Sequence, residues 1–353
     1  MNVLHLPTSV GGNSWGLAKG EKKLGLDSKV LVFEQNWLNY PYDYCMNLNN
    51  YGKLGKLIKR IKTFFKVRKK YDIYHFNFGS SLVDIQNKGI HLWDLPFYKG
   101  KKIMTYNGCD ARQKYPTMQR VEFSACHQKD CYGGVCNSGE QDKIRQKRIT
   151  KATKYVNHIF SVNPDLMYFL PKDKTTFLPY TIAGWDDIRE CSFKIDKKIK
   201  IVHAPTNQAA KGSKFILSAL KNLSKKYDNI EVELIENIPY QEALKKYRDA
   251  HIVVDQVLIG WYGGFGVEVM KMGKPLAVFI REEDLKFIPE EMAIDLKEAI
   301  ININPFNIDK VLEKYILDYD LLYKKSEASL KYVNKWHDPK YVASLTKKIY
   351  ESL

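Results

Sequence analysis

No apolar stretch in the 353 residues approaches the ~20 that a bilayer-spanning helix requires. The N-terminus lacks the basic-then-apolar layout of a secretory signal peptide, and Met1 runs almost directly into a strand-like segment. These absences argue against secretion and point to a cytoplasmic chain whose cysteines live in a reducing compartment. Low-complexity tracts and short-period repeats are also missing. Acidic residues are scarce relative to basic ones, 40 against 56, leaving a net charge of +16. What is present, 44% hydrophobic and 27% charged residues, is the make-up of a soluble globular protein with room for about two domains.

The excess positive charge admits nucleic acid, an anionic membrane surface or anionic small substrates as partners. Its distribution narrows the choice. Residues 53–70 carry nine basic side chains and no acidic one, while Leu54, Leu57, Ile58, Ile61, Phe64 and Phe65 recur on one helical face. A basic amphipathic helix of this kind favours a membrane surface, and nucleic acid is not expected. The competing reading is that the apolar stripe is core and the lysines are merely solvated.

Short strand-like runs alternate with helical segments from the start: Asn2–Pro7, Ser28–Glu34, Asp72–Phe78, Lys101–Tyr106 and His158–Val162. After a polar stretch the pattern restarts with Lys200–Ala204, Glu231–Ile235, a run from Ala250 to Ile259, and Leu276–Ile280, with helices over 211–226, 240–249 and 306–315 between or after them. Such alternation predicts two α/β domains with parallel, doubly wound sheets, joined near Phe177–Lys198. Domains of this type bind ligands at the C-terminal edges of their strands.

Two segments have phosphate-binding character. In Trp261-Tyr-Gly-Gly-Phe-Gly-Val-Glu-Val-Met-Lys-Met-Gly-Lys-Pro275, glycines at 263, 264 and 266 lead from a strand into a helix. Free N–H groups and the positive dipole end there suit a phosphate, and Glu268, expected in the first turn, suits a ribose diol. Upstream, His203-Ala-Pro-Thr-Asn-Gln-Ala-Ala-Lys211-Gly212-Ser213 places a lysine at a helix start, where its charge can neutralise a diphosphate.

Lys211-Gly212 together with Gly264-Phe-Gly-Val-Glu268 and Gly273-Lys-Pro275 resembles the donor half of GT-B glycosyltransferases of the family 4 type. The resemblance implies a GT-B fold of two Rossmann-like domains facing a cleft. Residues 1–180 would form the acceptor-side domain with a cysteine-rich insertion near 124–140, and 195–335 the nucleotide-sugar domain. Residues 336–353 would be a helix returning to the first domain. It further implies that Glu268 binds the ribose, that Gly264, Phe265 and Gly266 contact the sugar diphosphate, and that Lys211 with Gly212 neutralises the departing diphosphate. Gly11 and Gly12 would approach the donor from the first domain. Asn107, Asp110 and Arg112 would line the cleft near the reacting centre.

The expected activity is transfer of a sugar, with retention as the family implies, from a nucleotide-diphosphate sugar to a glycan or lipid-linked acceptor in polysaccharide or glycolipid synthesis. It would take place in the cytoplasm or at the inner membrane face and require no cofactor for catalysis. Three departures stand out. Gly260 occupies the place of the first glutamate of the usual pair, Pro205 and Thr206 hold the places of an arginine, and Asn107 replaces a histidine. They keep open a non-catalytic nucleotide or glycan binder and a nucleotide-sugar 2-epimerase on the same architecture.

The cysteines suggest a separate feature. Cys126, Cys131 and Cys136, with His127 or Cys109 as a fourth ligand, could hold a structural zinc. The other reading is a set of reduced thiols in a loop. His75, His203 and Asp255 fall in or at the ends of strands, where packing and turn-capping roles are the common ones. Trp261 and Tyr262 could offer sugar-stacking faces.

Overall fold

The computed structural model describes residues 1–35, 38–85, 89–194 and 198–353. In chain order the first elements are β1 (Asn2–Leu6), α1 (Asn13–Lys23), β2 (Asp27–Val32), β3 (Tyr44–Cys45), α2 (Lys53–Val67), β4 (Ile73–Asn77) and β5 (Lys101–Tyr106). Next come α3 (Lys114–Arg120), α4 (Glu140–Tyr155), β6 (His158–Ser161), β7 (Thr175–Phe177), β8 (Ile199–His203), α5 (Gln208–Lys211), α6 (Ser213–Lys226) and β9 (Ile230–Leu234). They are followed by α7 (Tyr240–Arg248), β10 (Ile252–Val254), α8 (Gly264–Lys271), β11 (Leu276–Val278), α9 (Glu290–Ala299), β12 (Ile300–Asn302), α10 (Ile308–Leu317), α11 (Tyr319–Trp336) and α12 (Pro339–Ser352).

Two compact units result. The first comprises Met1–Gln113, Gly139–Gly184 and Asp338–Leu353, the second Lys114–Ser138 and Trp185–His337. The chain passes from one to the other at Gly184–Trp185, inside the expected linker, of which residues 195–197 lie outside the described residues.

The first unit holds a parallel sheet ordered β3-β2-β1-β4-β5-β6-β7. Its central strands are largely apolar and buried on both faces, as in sheets covered on both sides; β4 is buried along its whole length. Helix α12 is capped by Asp338, whose carboxylate accepts from the N–H groups of Lys340 and Tyr341, with Pro339 at the first helical position. It lies so close on α1 that a Cβ at Gly20 would come 1.9 Å from the Pro339 carbonyl oxygen.

The second unit holds a parallel sheet ordered β12-β11-β10-β8-β9. Its strand order reverses between β8 and β10, because β9 leaves to one side of β8 and β10 to the other. Two neighbouring loops therefore diverge at the C-terminal ends of β8 and β10, the place where open α/β sheets take ligands.

The cysteine-rich segment, expected with the first domain, packs in the second unit. Phe123 sits 5.0 Å from Phe279 and 5.4 Å from Phe306 between ring centroids, and the Ala125 N–H donates to the Leu258 carbonyl at 3.0 Å. Arg120 reaches Asp284 at 3.0 Å. These apolar and ionic partners all come from the second unit's sheet and its loops, which is why chain order misplaces the segment.

Two further expectations change. Of the strand-like run over 250–259 only the expected strand Ile252–Asp255 forms, as β10, because Gln256 ties the following residues into a loop. Its side chain donates to the Trp261 and Phe279 carbonyls and accepts from the Ile259 N–H. The helix expected over 211–226 is broken at Gly212, which adopts φ +77°. Lys211 therefore closes α5 rather than opening α6.

Candidate functional site

The two phosphate-type loops of the second unit meet at the strand-order reversal. After β8, Asn207 caps α5 by accepting from the Ala210 N–H, and Lys211 is the last residue of that turn. The left-handed Gly212 lets the chain double back into α6; a Cβ there would lie 2.7 Å from Val257 Cγ2. The Val257 N–H donates to the Lys211 carbonyl, fixing the loop after β8 to the loop after β10. Above this contact the Lys211 ammonium forms an ion pair with Asp255, the residue that follows β10.

Helix α8 begins at Gly264, so the N–H groups of Gly264, Phe265 and Gly266 are its first three and have no acceptor within the helix. Glu268 is the fifth residue rather than a first-turn one, a correction of one turn. Gly266 packs tightly, since a Cβ would come 2.9 Å from Tyr262 Cβ, whereas one on Gly263 would meet nothing within 4 Å. Open space thus adjoins the N-terminus of α8.

Glu268 is buried, and its carboxylate accepts a 2.5 Å hydrogen bond from the Tyr240 hydroxyl at the start of α7. Burial pushes the carboxyl up to about 7, only partly offset by that bond. Tyr247 feels both acidic groups: burial raises its phenol, and the nearby charges of Glu268 and Asp255 add to the effect. Tyr240 and Tyr247 escape sequence reading because α7 carries no motif.

Gly260 explains one departure from the family pattern. It sits at φ +89°, and a Cβ would lie 2.6 Å from Arg281 Nη1. The Arg281 guanidinium fills the space beside it, held by Asp284 and by the Phe123 carbonyl. A glutamate cannot be placed here without displacing a buried cation.

The remaining candidates have local duties. Asp110 is buried and turned into its own loop, accepting from the N–H groups of Asn107 and Gly108. Burial raises its carboxyl to about 6 against the pull of those bonds. Asn107 Oδ1 accepts from the Phe78 N–H, and Arg112 makes a two-pronged pair with Asp165. Gly11 and Gly12, at φ +60° and +73°, form the turn between β1 and α1, where Cβ atoms would meet Tyr180 Oη and Ala183 Cβ at 2.0 and 2.8 Å. These features belong to the first unit.

Trp261 and Tyr262 are buried and stacked on each other at 4.6 Å, with the Tyr262 hydroxyl bonded to Tyr332 and His337. Neither offers a sugar-stacking face. His203 is held by the Val254 carbonyl and the Ser213 hydroxyl, and burial lowers its basicity.

The cysteine-rich segment holds no disulfide. All six are thiols, and no three of Cys109, Cys126, His127, Cys131 and Cys136 bring ligand atoms within 4.8 Å of one another. Left-handed Tyr132 and Gly133 turn the chain between the outer cysteines, and His127 Nδ1 lies 2.9 Å from the Ser124 hydroxyl. The one compact metal-type group among the described residues is His5, Glu21 and His75 in the first unit. There His5 and Glu21 are 2.8 Å apart, a hydrogen-bond separation, and both His75 nitrogens lie against hydroxyls.

No family model matches the sequence, and no curated protein matches it. Solved structures do. A sucrose-phosphate synthase from Thermosynechococcus elongatus aligns with TM-score 0.62 and 13% identity over 99% of this chain and 98% of its own. The Anabaena protein HepE in complex with UDP-glucose aligns with TM-score 0.63 and 10% identity over 100% and 99%. A protein described as a UDP-N-acetylglucosamine 2-epimerase from Listeria monocytogenes aligns with TM-score 0.56 and 11% identity over 98% and 94%. At this identity the likeness speaks to the fold, and with two parallel doubly wound sheets of seven and five strands the chain has the GT-B fold.

Proposed function

We propose that the protein is a nucleotide-sugar-dependent glycosyltransferase that moves a sugar to a glycan or lipid-linked acceptor. The observation that carries this is the convergence of Lys211, the N-terminus of α8 and Glu268 at the strand-order reversal of the second sheet. That arrangement offers a cation and N–H donors for a diphosphate, with a carboxylate one helical turn further along for the ribose hydroxyls. The UDP-glucose bound by HepE, on the same fold, supports a nucleotide sugar as donor. Lys211 and the helix end would stabilise the charge that develops on the diphosphate as the glycosidic bond breaks. In this reading the reaction needs no catalytic metal, so chelation with EDTA leaves turnover unchanged; loss of turnover would refute that point.

The acceptor is proposed to be lipid-linked because α2 leaves apolar residues in solvent. Leu54, Ile58 and Phe65 are 71%, 44% and 57% exposed among lysines and arginines with no acidic residue between them, an arrangement suited to an anionic membrane face.

A 2-epimerase and a non-catalytic binder share the architecture, and the Listeria structure favours keeping the first in view. Thermal stabilisation across nucleoside diphosphates and nucleotide sugars, followed by product analysis of any hit, separates the three. Transfer or slow hydrolysis of the donor supports the proposal. Epimerised donor or binding without turnover gives the other readings, and no shift with any nucleotide overturns the transferase and the epimerase and leaves only a glycan binder. Lys211→Ala and Glu268→Ala, with the fold intact, are expected to reduce the shift while leaving measurable binding through the N–H groups of α8.

A further inference from the structure

We propose that Asp255 is a positioning residue that acts through Lys211, aiming its ammonium while keeping the site from holding a diphosphate too tightly. The proposal rests on the reading of Lys211 as the diphosphate cation.

Asp255 follows β10 at the point where the sheet order reverses, and its N–H is pinned to the Ala277 carbonyl. Its side chain is fully buried, whereas that of Lys211 is 15% exposed. One carboxylate oxygen meets the Lys211 ammonium; the other is buried with no hydrogen-bond partner among the described residues. Lys211 is thus the cation the structure supplies to a carboxylate that cannot turn to water.

Two consequences follow. A lysine stem has four rotatable carbons and a strongly hydrated head, so without a fixed counter-ion the ammonium sweeps a wide volume. With Asp255 behind it and the backbone bond from Val257 to Lys211 below, the head is confined to the mouth of the site. A buried carboxylate that loses its only cation is left uncompensated, which is costly. A diphosphate arriving at Lys211 must therefore share the ammonium with Asp255 rather than take it outright. The bound diphosphate is held less tightly than by a lone lysine, and on release Asp255 recovers its partner. A site built this way favours turnover over product retention.

The test is a double-mutant cycle in the full-length protein, with UDP, GDP and ADP as probes titrated calorimetrically. Asp255→Asn keeps the shape and removes the charge, and is expected to tighten diphosphate binding about fivefold or more, as expected when a nearby like charge is removed. In the Lys211→Ala background the same change is expected to alter affinity less than about twofold, because the effect passes through Lys211. Weaker or unchanged binding in Asp255→Asn, or an equal change in both backgrounds, overturns the proposal. If Asp255→Asn does not fold, the ammonium resonance of Lys211 is followed in isotope-labelled wild-type protein, identified by its loss in Lys211→Ala. A Lys211 signal that moves on adding the diphosphate while the Asp255 side-chain carboxylate carbon keeps its position supports sharing; an unmoved Lys211 signal, or one that moves together with the Asp255 carboxylate as its partner is lost, refutes it. Should no diphosphate bind wild-type protein at all, the functional reading itself fails, an outcome distinct from an additive cycle.

Discussion

Among single residues, Gly260 shows how a departure from a family pattern can be structural. With φ +89° and the Arg281 guanidinium in the space a side chain would enter, the position is closed to the carboxylate that related motifs place there. Gly260→Glu is therefore expected to destabilise the protein by at least about 1–3 kcal/mol. Thermal melts check this, and an unchanged or raised melting temperature would contradict the packing argument. Glu268 gives a second test. Its folded-state pKa of about 7 lies above the ordinary 4.5, so between those values the folded protein binds more protons than the unfolded chain. Stability is accordingly lost as pH rises through that window, by at most roughly 3 kcal/mol. Glu268→Gln should melt higher than wild type at pH 8 and near it at pH 5, while binding nucleotide more weakly at both. Equal melting at pH 8 would show that the carboxyl is not held out of water as the structure has it.

Among elements, those with strong periodicity were legible and those defined by tertiary contact were not. The apolar runs that became β1, β4, β5, β8 and β11 were placed within two residues, because a strand buried on both faces reads as a short apolar block. The glycine-to-proline segment of α8 was equally readable. The α5–α6 break was missed, since Lys-Gly inside a helical pattern does not reveal a left-handed glycine until Val257 is seen against it. Asp255 reads in sequence only as a strand-end residue with a turn-capping role and Tyr240 carries no signal, as their meaning comes from partners 44 and 28 residues away. The apolar stripe of α2 divides between both sequence readings: Phe64 and Val67 are core, while Leu54, Ile58 and Phe65 face solvent. Replacing those three by serine should change stability by less than about 1 kcal/mol, as expected for exposed positions. The same replacement should cut partitioning onto phosphatidylglycerol vesicles at least about tenfold, given the apolar area lost. Vesicle binding that survives it would assign the affinity to charge alone or to another surface.

At the scale of the whole molecule, the first unit depends on the last residues of the chain. Glu21 on α1 is fully buried and accepts from Ser28, Tyr350 and Thr346 while pairing with His5. Burial alone would raise its carboxyl, but the His5 charge and the hydrogen bonds from His5, Ser28 and Tyr350 outweigh it and hold the group below its ordinary range. The stabilisation is therefore present above the unfolded value of 4.5 and is lost as pH falls through the lower folded one. Tyr350 also lies 2.6 Å from His75 Nδ1, so a single hydroxyl on α12 serves groups from α1 and β4. Tyr350→Phe should cost about 1–3 kcal/mol near neutrality, the range for an unmade buried hydrogen bond. That penalty should shrink on acidification as Glu21 takes up a proton. Removing residues 338–353 goes further, because it uncovers Leu17 and the apolar cluster that Val342, Ala343 and Tyr350 complete. Limited proteolysis of that truncation should cut within residues 1–113 and 139–184 and spare 185–337. Protection of the first unit without α12 would show that its sheet is stable on its own and that the return of the chain is ornamental to it.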